Sequence, residues 1–155
     1  MKKILFASMM LVALVSATFT SCSKDDSDPA MVGSWMYTKT DVQSSYTEND
    51  TWNLELKEDG TGTLNRIGQY STTGTGGTTI SWNISYNLIY TYDPEKNDRY
   101  GNYRVSVVSR IPEKIDNTVQ SHLTGTIWDQ NDMKTGSFSV AGDKLHIFGL
   151  VFSKK

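Results

Sequence analysis

The sequence contains few of the residues on which disulfide, metal and nucleophile chemistry depend. Its 155 residues include one cysteine and two histidines. A lone cysteine excludes any disulfide within the chain, and this ligand set is too small for a structural zinc site. Neither a Gly-x-Ser-x-Gly elbow nor a phosphate-binding Walker loop occurs. We therefore predict no catalytic residue, no metal and no cofactor, and we place a hydrolase last among the functional classes.

The sequence also has only a small excess of negative over positive charge, and it has few long apolar runs. The formal net charge is −2, so the chain gains little from attraction to phosphates, and nucleic acid is not an expected partner. A nearly unbroken apolar run, residues 4–17, follows Lys2 and Lys3. It is shorter than the ~20 residues that a membrane-spanning helix needs. A basic start, a short apolar run and small residues behind it are typical of a secretory signal peptide.

The residues Phe19-Thr20-Ser21-Cys22, at the end of this segment, resemble a lipobox. In lipoproteins, signal peptidase II cleaves before a cysteine that carries a diacylglyceryl group. The resemblance implies that residues 1–21 are a removed signal peptide, and that residues 22–31 form a polar tether. It also implies that Cys22 bears acyl chains such as palmitate. Because two or three chains anchor a protein far more firmly than one, a membrane is the expected partner at this end.

The residues just after the cysteine indicate where such a protein is delivered. Lys24, Asp25 and Asp26 resemble the export signal of Bacteroidetes-type surface lipoproteins. That resemblance implies a lipid-anchored protein of the outer membrane, exposed at the cell surface. The alternative is an anchor from which the domain faces the periplasm.

Beyond residue 32, apolar residues alternate with polar ones, as in Trp52, Leu54 and Leu56. This alternation is typical of strands with one buried and one wet face, and no segment has helical spacing. Asp59-Gly60 and Gly142-Asp143 fit tight hairpin turns. The pattern predicts an all-β domain over residues 32–155, an antiparallel up-and-down barrel of about eight strands, with a β-sandwich as the alternative. The expected strands are 33–41, 50–57, 61–67, 78–86, 87–92, 102–110, 121–129 and 134–151, the last expected to hold two.

Two motifs favour the barrel. Gly33-Ser34-Trp35 opens the first expected strand and resembles the lipocalin Gly-x-Trp signature, and residues 54–63 are similar to a stretch in lipocalin-like domains of surface lipoproteins. The resemblance implies a lipocalin-like barrel in which Gly33 and Trp35 are structural and Trp35 plugs the closed end. It also implies that a basic residue near the last strand, Lys154 or Lys155, packs on that tryptophan.

Aromatic residues supply the candidate binding sites. Trp52, Leu54, Trp82 and Tyr86 fall on the apolar phases of their strands and are candidate pocket-lining residues. The interior of a barrel of this size is either filled by side chains or holds one small ligand, and the sequence is compatible with both alternatives. Tyr90, Tyr92 and Tyr100 lie around the charged loop 93–101. They are a candidate surface platform, or alternatively cross-strand pairs on a half-buried face.

These observations favour a membrane-anchored surface lipoprotein whose lipocalin-like domain binds a small apolar or amphipathic ligand. The alternative is a glycan-capture or protein-interaction accessory of an outer-membrane uptake system, with an outer-membrane protein as its partner. Fold alone does not decide between the two.

Overall fold

The computed structural model describes residues 30–94 and 98–155. One antiparallel sheet of eight strands closes into an up-and-down barrel, in which β8 completes the ring by pairing with β1. The prediction of an all-β barrel with lipocalin-like topology is confirmed. The elements are β1 Gly33–Val42, β2 Tyr46–Leu56, β3 Thr61–Thr72, β4 Thr79–Pro94, β5 Tyr100–Ile111, α1 Asn117–His122, β6 Met133–Ala141, β7 Lys144–Ile147 and β8 Leu150–Lys154.

The predicted anchor falls outside the part of the chain that the structure describes. This holds for the signal peptide over residues 1–21 and for Cys22, Lys24, Asp25 and Asp26. Within the described residues, no helix is both long and apolar enough to span a membrane.

Several strand boundaries differ from the expected ones. The expected strands 78–86 and 87–92 form one strand, β4, because alternate side chains remain buried from Trp82 to Tyr90. The register with β5 shifts between Asn87 and Leu88, so a bulge alters the pairing there without ending it. The expected strand 134–151 holds three strands, β6 to β8, rather than two.

The strand expected over residues 121–129 is wrong, and so is the expectation that the domain contains no helix. Residues 112–132, hereafter the cap segment, connect β5 to β6 and include α1. The Asp116 carboxylate accepts a hydrogen bond from the Thr118 backbone N–H at 2.8 Å, which satisfies one free amide at the start of the helix. No residue of α1 is buried, so the helix lacks the apolar stripe by which sequence patterns reveal helices.

Different groups cover the two ends of the barrel. The cap segment and the β1–β2, β3–β4 and β7–β8 turns lie at one end, the mouth, because the strands alternate in direction. At the other end Trp35 is 1% exposed, and its indole N–H donates to the Met31 carbonyl at 2.9 Å. The Lys154 Nζ atom lies 5.8 Å from the Trp35 ring centroid. Trp35 therefore plugs the closed end, with Lys154 over it.

Side chains fill the space between the two ends. Inward positions alternate along β2 to β5, so each of these strands contributes a row of buried residues to one continuous core. Burial of one such side chain stabilises the fold by about 1.5–3 kcal/mol. The largest of the fully buried side chains are Trp35, Phe152, Met31, Leu54, Leu56, Leu64, Ile84 and Leu88.

Candidate functional site

A buried ion pair lies inside the barrel towards the mouth. Asp50 on β2 and Arg66 on β3 are 5% and 4% exposed, and the Arg66 Nη2 atom lies 2.7 Å from the Asp50 Oδ2 atom. The Arg66 Nε–H also donates to both carboxylate oxygens at 3.0 Å. Such a pair is stable in a dry interior only where its remaining hydrogen-bonding groups are satisfied.

Two of the candidate pocket-lining tryptophans satisfy the carboxylate. Trp52 donates from its indole N–H to Asp50 Oδ2 at 2.8 Å, and Trp82 donates to Asp50 Oδ1 at 3.1 Å. The Arg66 Cζ atom lies 4.7 Å from the Trp52 ring centroid and 5.9 Å from that of Trp82. These indoles therefore serve partly as polar and cation–π partners of a charge pair.

The position of Trp82 depends on a glycine in the neighbouring strand. Gly68 pairs with Trp82 across β3 and β4, and a Cβ atom at residue 68 would lie 2.2 Å from the Trp82 Cζ2 atom. The missing side chain leaves room for the indole against β3, where its N–H reaches Asp50.

The ion pair also fastens the cap segment to the barrel. The Arg66 Nη1 atom donates to the Thr126 Oγ1 atom at 2.9 Å and to the Thr126 carbonyl at 3.3 Å. Arg110 on β5 donates to the Trp128 carbonyl at 3.3 Å and pairs with Asp129. The Trp128 backbone N–H donates to the Tyr86 hydroxyl at 3.4 Å.

Helix α1 contacts the mouth of the barrel through His122. Its imidazole ring lies 4.6 Å from the Tyr70 ring and 5.5 Å from the Trp82 ring, measured between centroids. Its Nε2 atom is 3.9 Å from a Glu48 carboxylate oxygen. The cap segment is therefore packed onto the barrel at two separate points.

An opening in the barrel wall lies beside this covered mouth. β5 pairs with β6 from Met133 to Ser139, whereas β7 pairs with β6 only from Ser139 to Ala141. The space between residues 133–137 and residues 146–151 forms a cleft of about 950 Å³, hereafter the lateral cleft. This volume lies within the range of small-molecule sites.

Aromatic side chains form the floor of the lateral cleft. The Trp128 ring packs edge-on against Phe148 at 4.9 Å and against Trp52 at 6.0 Å between centroids. Tyr103 packs edge-on against Phe148 at 5.3 Å and crosses beneath Gly136, where a Cβ atom would lie 2.9 Å from the tyrosine oxygen. Burial raises the pKa of the Tyr103 phenol, and a hydrogen bond with the Phe148 backbone partly offsets that rise.

Phe148 adopts a backbone conformation that is uncommon for its residue type. Its φ is 57° and that of Gly149 is 74°, as in the two-residue turns of type I′. Asn, Asp or Gly are the usual residues at such a position. In this turn the aromatic ring instead packs half-buried against the core, on the floor of the lateral cleft.

The four candidate pocket-lining residues are all buried, but they do not form one pocket. Trp52 lines the lateral cleft. Tyr86 and Trp82 do not line it: the Tyr86 ring lies 5.5 Å from the Trp128 ring between centroids, and Trp82 donates to Asp50. Leu54, 1% exposed, belongs to the core near Trp35, with which it pairs in register. The open space therefore lies in the barrel wall beside a filled interior.

The prediction of an exposed tyrosine platform is wrong for Tyr90. Tyr90 is 4% exposed and donates from its hydroxyl to the Lys57 carbonyl at 2.6 Å. It has the same inward phase on β4 as Trp82, and its burial raises its pKa to about 12. Tyr92 is half-buried and packs edge-on against Phe138 at 5.9 Å, whereas Tyr100 is 44% exposed. The three tyrosines therefore do not form one exposed surface.

Comparison of the chain with protein-family models, curated proteins and solved structures finds no match. Among residues 30–94 and 98–155, no group of three or more His, Cys, Asp or Glu side chains could hold a metal ion. The candidate site is therefore defined by its own geometry: a lateral cleft with an aromatic floor, next to a cap segment fastened by a buried ion pair.

Proposed function

We propose that this protein is a membrane-anchored lipoprotein whose barrel binds a small amphipathic molecule in the lateral cleft. The observation that carries the proposal is the aromatic floor of Trp52, Tyr103, Trp128 and Phe148 at the base of a cleft of about 950 Å³. Ligand sites commonly combine such an apolar surface with a few polar groups. Here the lining includes the polar residues Lys134, Thr135 and Ser137.

The position of the tether is compatible with this role. Met31 packs at the closed end of the barrel, and the lipidated residue that we propose, Cys22, precedes it by nine positions. A short tether at this end leaves the mouth and the cap segment facing away from the bilayer. With the export signal Lys24, Asp25 and Asp26, we propose display at the outer-membrane surface. A periplasm-facing anchor is the alternative.

A fluorescent fatty acid provides a direct test of binding. We would titrate dansylaminoundecanoic acid into the lipidated protein held in lipid nanodiscs, with protein-free nanodiscs as the blank. Trp52 and Trp128 lie on the floor of the cleft, so a bound dansyl group receives excitation energy from them. We expect saturable energy transfer. Transfer that rises only linearly, as in the blank, would mean that the cleft does not bind the probe.

Two glycine substitutions form a matched pair for this titration. Phe148 and Asn131 both have positive φ, 57° and 70°, so glycine relieves backbone strain at either position. Phe148→Gly removes part of the floor, and we expect it to weaken binding by roughly tenfold. Asn131→Gly changes an exposed turn residue that does not line the cleft and should leave binding unchanged. Equal binding by both variants would contradict the proposed site.

A further inference from the structure

One wall of the lateral cleft is a strand edge. Over residues 133–138, β6 pairs with β5 on one side, and none of the described strands pairs with its other side. In an antiparallel strand, successive residues direct their N–H and C=O groups to opposite sides. This part of β6 therefore presents a row of backbone donors and acceptors to the cleft.

An aliphatic chain can pack on the aromatic floor, but it does not match the polar groups of such a wall. It would displace water from the backbone groups of residues 133–137 without replacing the hydrogen bonds, and each unsatisfied group would weaken the complex. A peptide backbone in an extended conformation supplies donors and acceptors at the same spacing. Addition of a strand to a free edge is a common mode of peptide recognition.

The floor indicates which side chains such a peptide would carry. Alternate residues of an added strand would point inwards, towards the rings of Trp128 and Phe148. β6 has no side chain at Gly136, and the Tyr103 ring lies against the backbone there as an apolar part of the floor. Apolar residues at alternate positions fit this arrangement, and outward positions can be polar.

The charge of the cleft favours a carboxylate on the peptide. Lys134 lies in the wall, with its Nζ atom 5.7 Å from the Trp128 ring centroid. Of the described residues that line the cleft, none carries a carboxylate. Lys134 does pair with Asp132 at 3.2 Å, but Asp132 also accepts from the Asp129 backbone, and so exposed a pair contributes little. The ammonium group therefore has donors left for a ligand.

From this juxtaposition of a free strand edge, an aromatic floor and Lys134, we infer that the ligand is a short extended peptide that adds to β6 as an extra strand. The length of the exposed edge corresponds to about five residues at ~3.4 Å each. This inference rests on the binding role proposed above and names the class of molecule that fills it.

Competition experiments test the inference. The probe is the peptide acetyl-Ser-Val-Ser-Val-Ser with a free carboxyl terminus, used to displace dansylaminoundecanoic acid from the lipidated protein in nanodiscs. Its two controls are isomers with N-methyl groups on both valines or on the second and third serines. Since N–H groups on one side of a strand belong to alternate residues, we expect one isomer to bind more than about tenfold more weakly. The other isomer should change by less than about threefold.

The possible results separate the two proposals. If the dansyl probe shows no saturable binding, the proposed function is wrong. If the dansyl probe binds but the peptide does not displace it, or both methylated isomers compete as well as the parent peptide, strand addition is wrong and small-molecule binding remains.

A lysine pair tests the charge component. Lys134→Met should weaken binding of the peptide with a free carboxylate by about fivefold and leave binding of its C-terminal amide unchanged. Lys144→Met is the matched control, because Lys144 on β7 donates to Ser153 and does not line the cleft. Equal effects of the two substitutions, or an equal loss for the amide, would contradict a role for Lys134 in binding the carboxylate.

Discussion

Arg66 donates three hydrogen bonds to Asp50 inside the barrel, and it donates two more to Thr126 of the cap segment. One side chain thus joins β2, β3 and the covering of the mouth. The contribution of this pair to stability depends on keeping both partners, because a single buried charge without its partner is strongly unfavourable.

Arg66→Met should therefore destabilise the protein by about 3–5 kcal/mol, since it leaves the Asp50 carboxylate buried with only indole donors. The double variant Asp50→Leu with Arg66→Met should be more stable than Arg66→Met alone. Urea unfolding of the two variants and the wild type measures the difference. A loss below about 1 kcal/mol for Arg66→Met would indicate that water reaches the pair.

Gly68→Ala should disturb Trp82, because the added Cβ atom would lie 2.2 Å from the indole and 2.4 Å from the Asn49 carbonyl oxygen. Overpacking of this kind costs about 1–3 kcal/mol. Near-ultraviolet circular dichroism and urea unfolding report both effects. Ser81→Ala, at an exposed position next to Trp82, is the control and should change neither.

Tyr90 should make the fold sensitive to alkaline pH. Its folded-state pKa is raised to about 12 from an ordinary value of 10. Between these values the unfolded chain has lost a proton that the folded protein still holds, so stability falls as pH rises from 10 to 12. Below pH 10 the contribution is fully present. Tyr90→Phe should show a smaller decrease in melting temperature over this range, and an unchanged slope would exclude Tyr90 as a cause.

Cys22→Ala should release the protein from membranes, since the proposed lipid on Cys22 is its anchor. Fractionation of cells followed by a high-salt wash measures the release. A variant that still sediments with the membrane fraction would contradict the lipid anchor. Ser23→Ala, next to the cysteine, is the control and should remain attached.

The sequence was sufficient to predict the barrel because its strands alternate clearly. The ion pair was not predicted, although the same alternation points both of its residues inwards. Asp50 has the phase of Trp52 and Leu54, and Arg66 has the phase of Leu64. Charged residues usually face water, so the phase of the strand was the one available signal. The burial of Tyr90 follows from the same rule, applied from Trp82 along β4.

Other features had no comparable signal. Helix α1 has no buried residue, and its cap by Asp116 resembles an ordinary polar turn in sequence. The lateral cleft arises because β7 and β8 are short and pair with only part of β6 and β1. Strand length and pairing partners depend on the whole barrel, so the role of Trp128 and Phe148 in its floor could not be read from local pattern.

Chemical-shift mapping with dansylaminoundecanoic acid tests the central claim, that the lateral cleft is the binding site, most directly. We predict that the largest amide shifts fall on residues 133–137 and 146–151 and on the indole N–H groups of Trp52 and Trp128. Shifts concentrated around Tyr92 and Tyr100 at the closed end, or no saturable shift anywhere, would contradict the account.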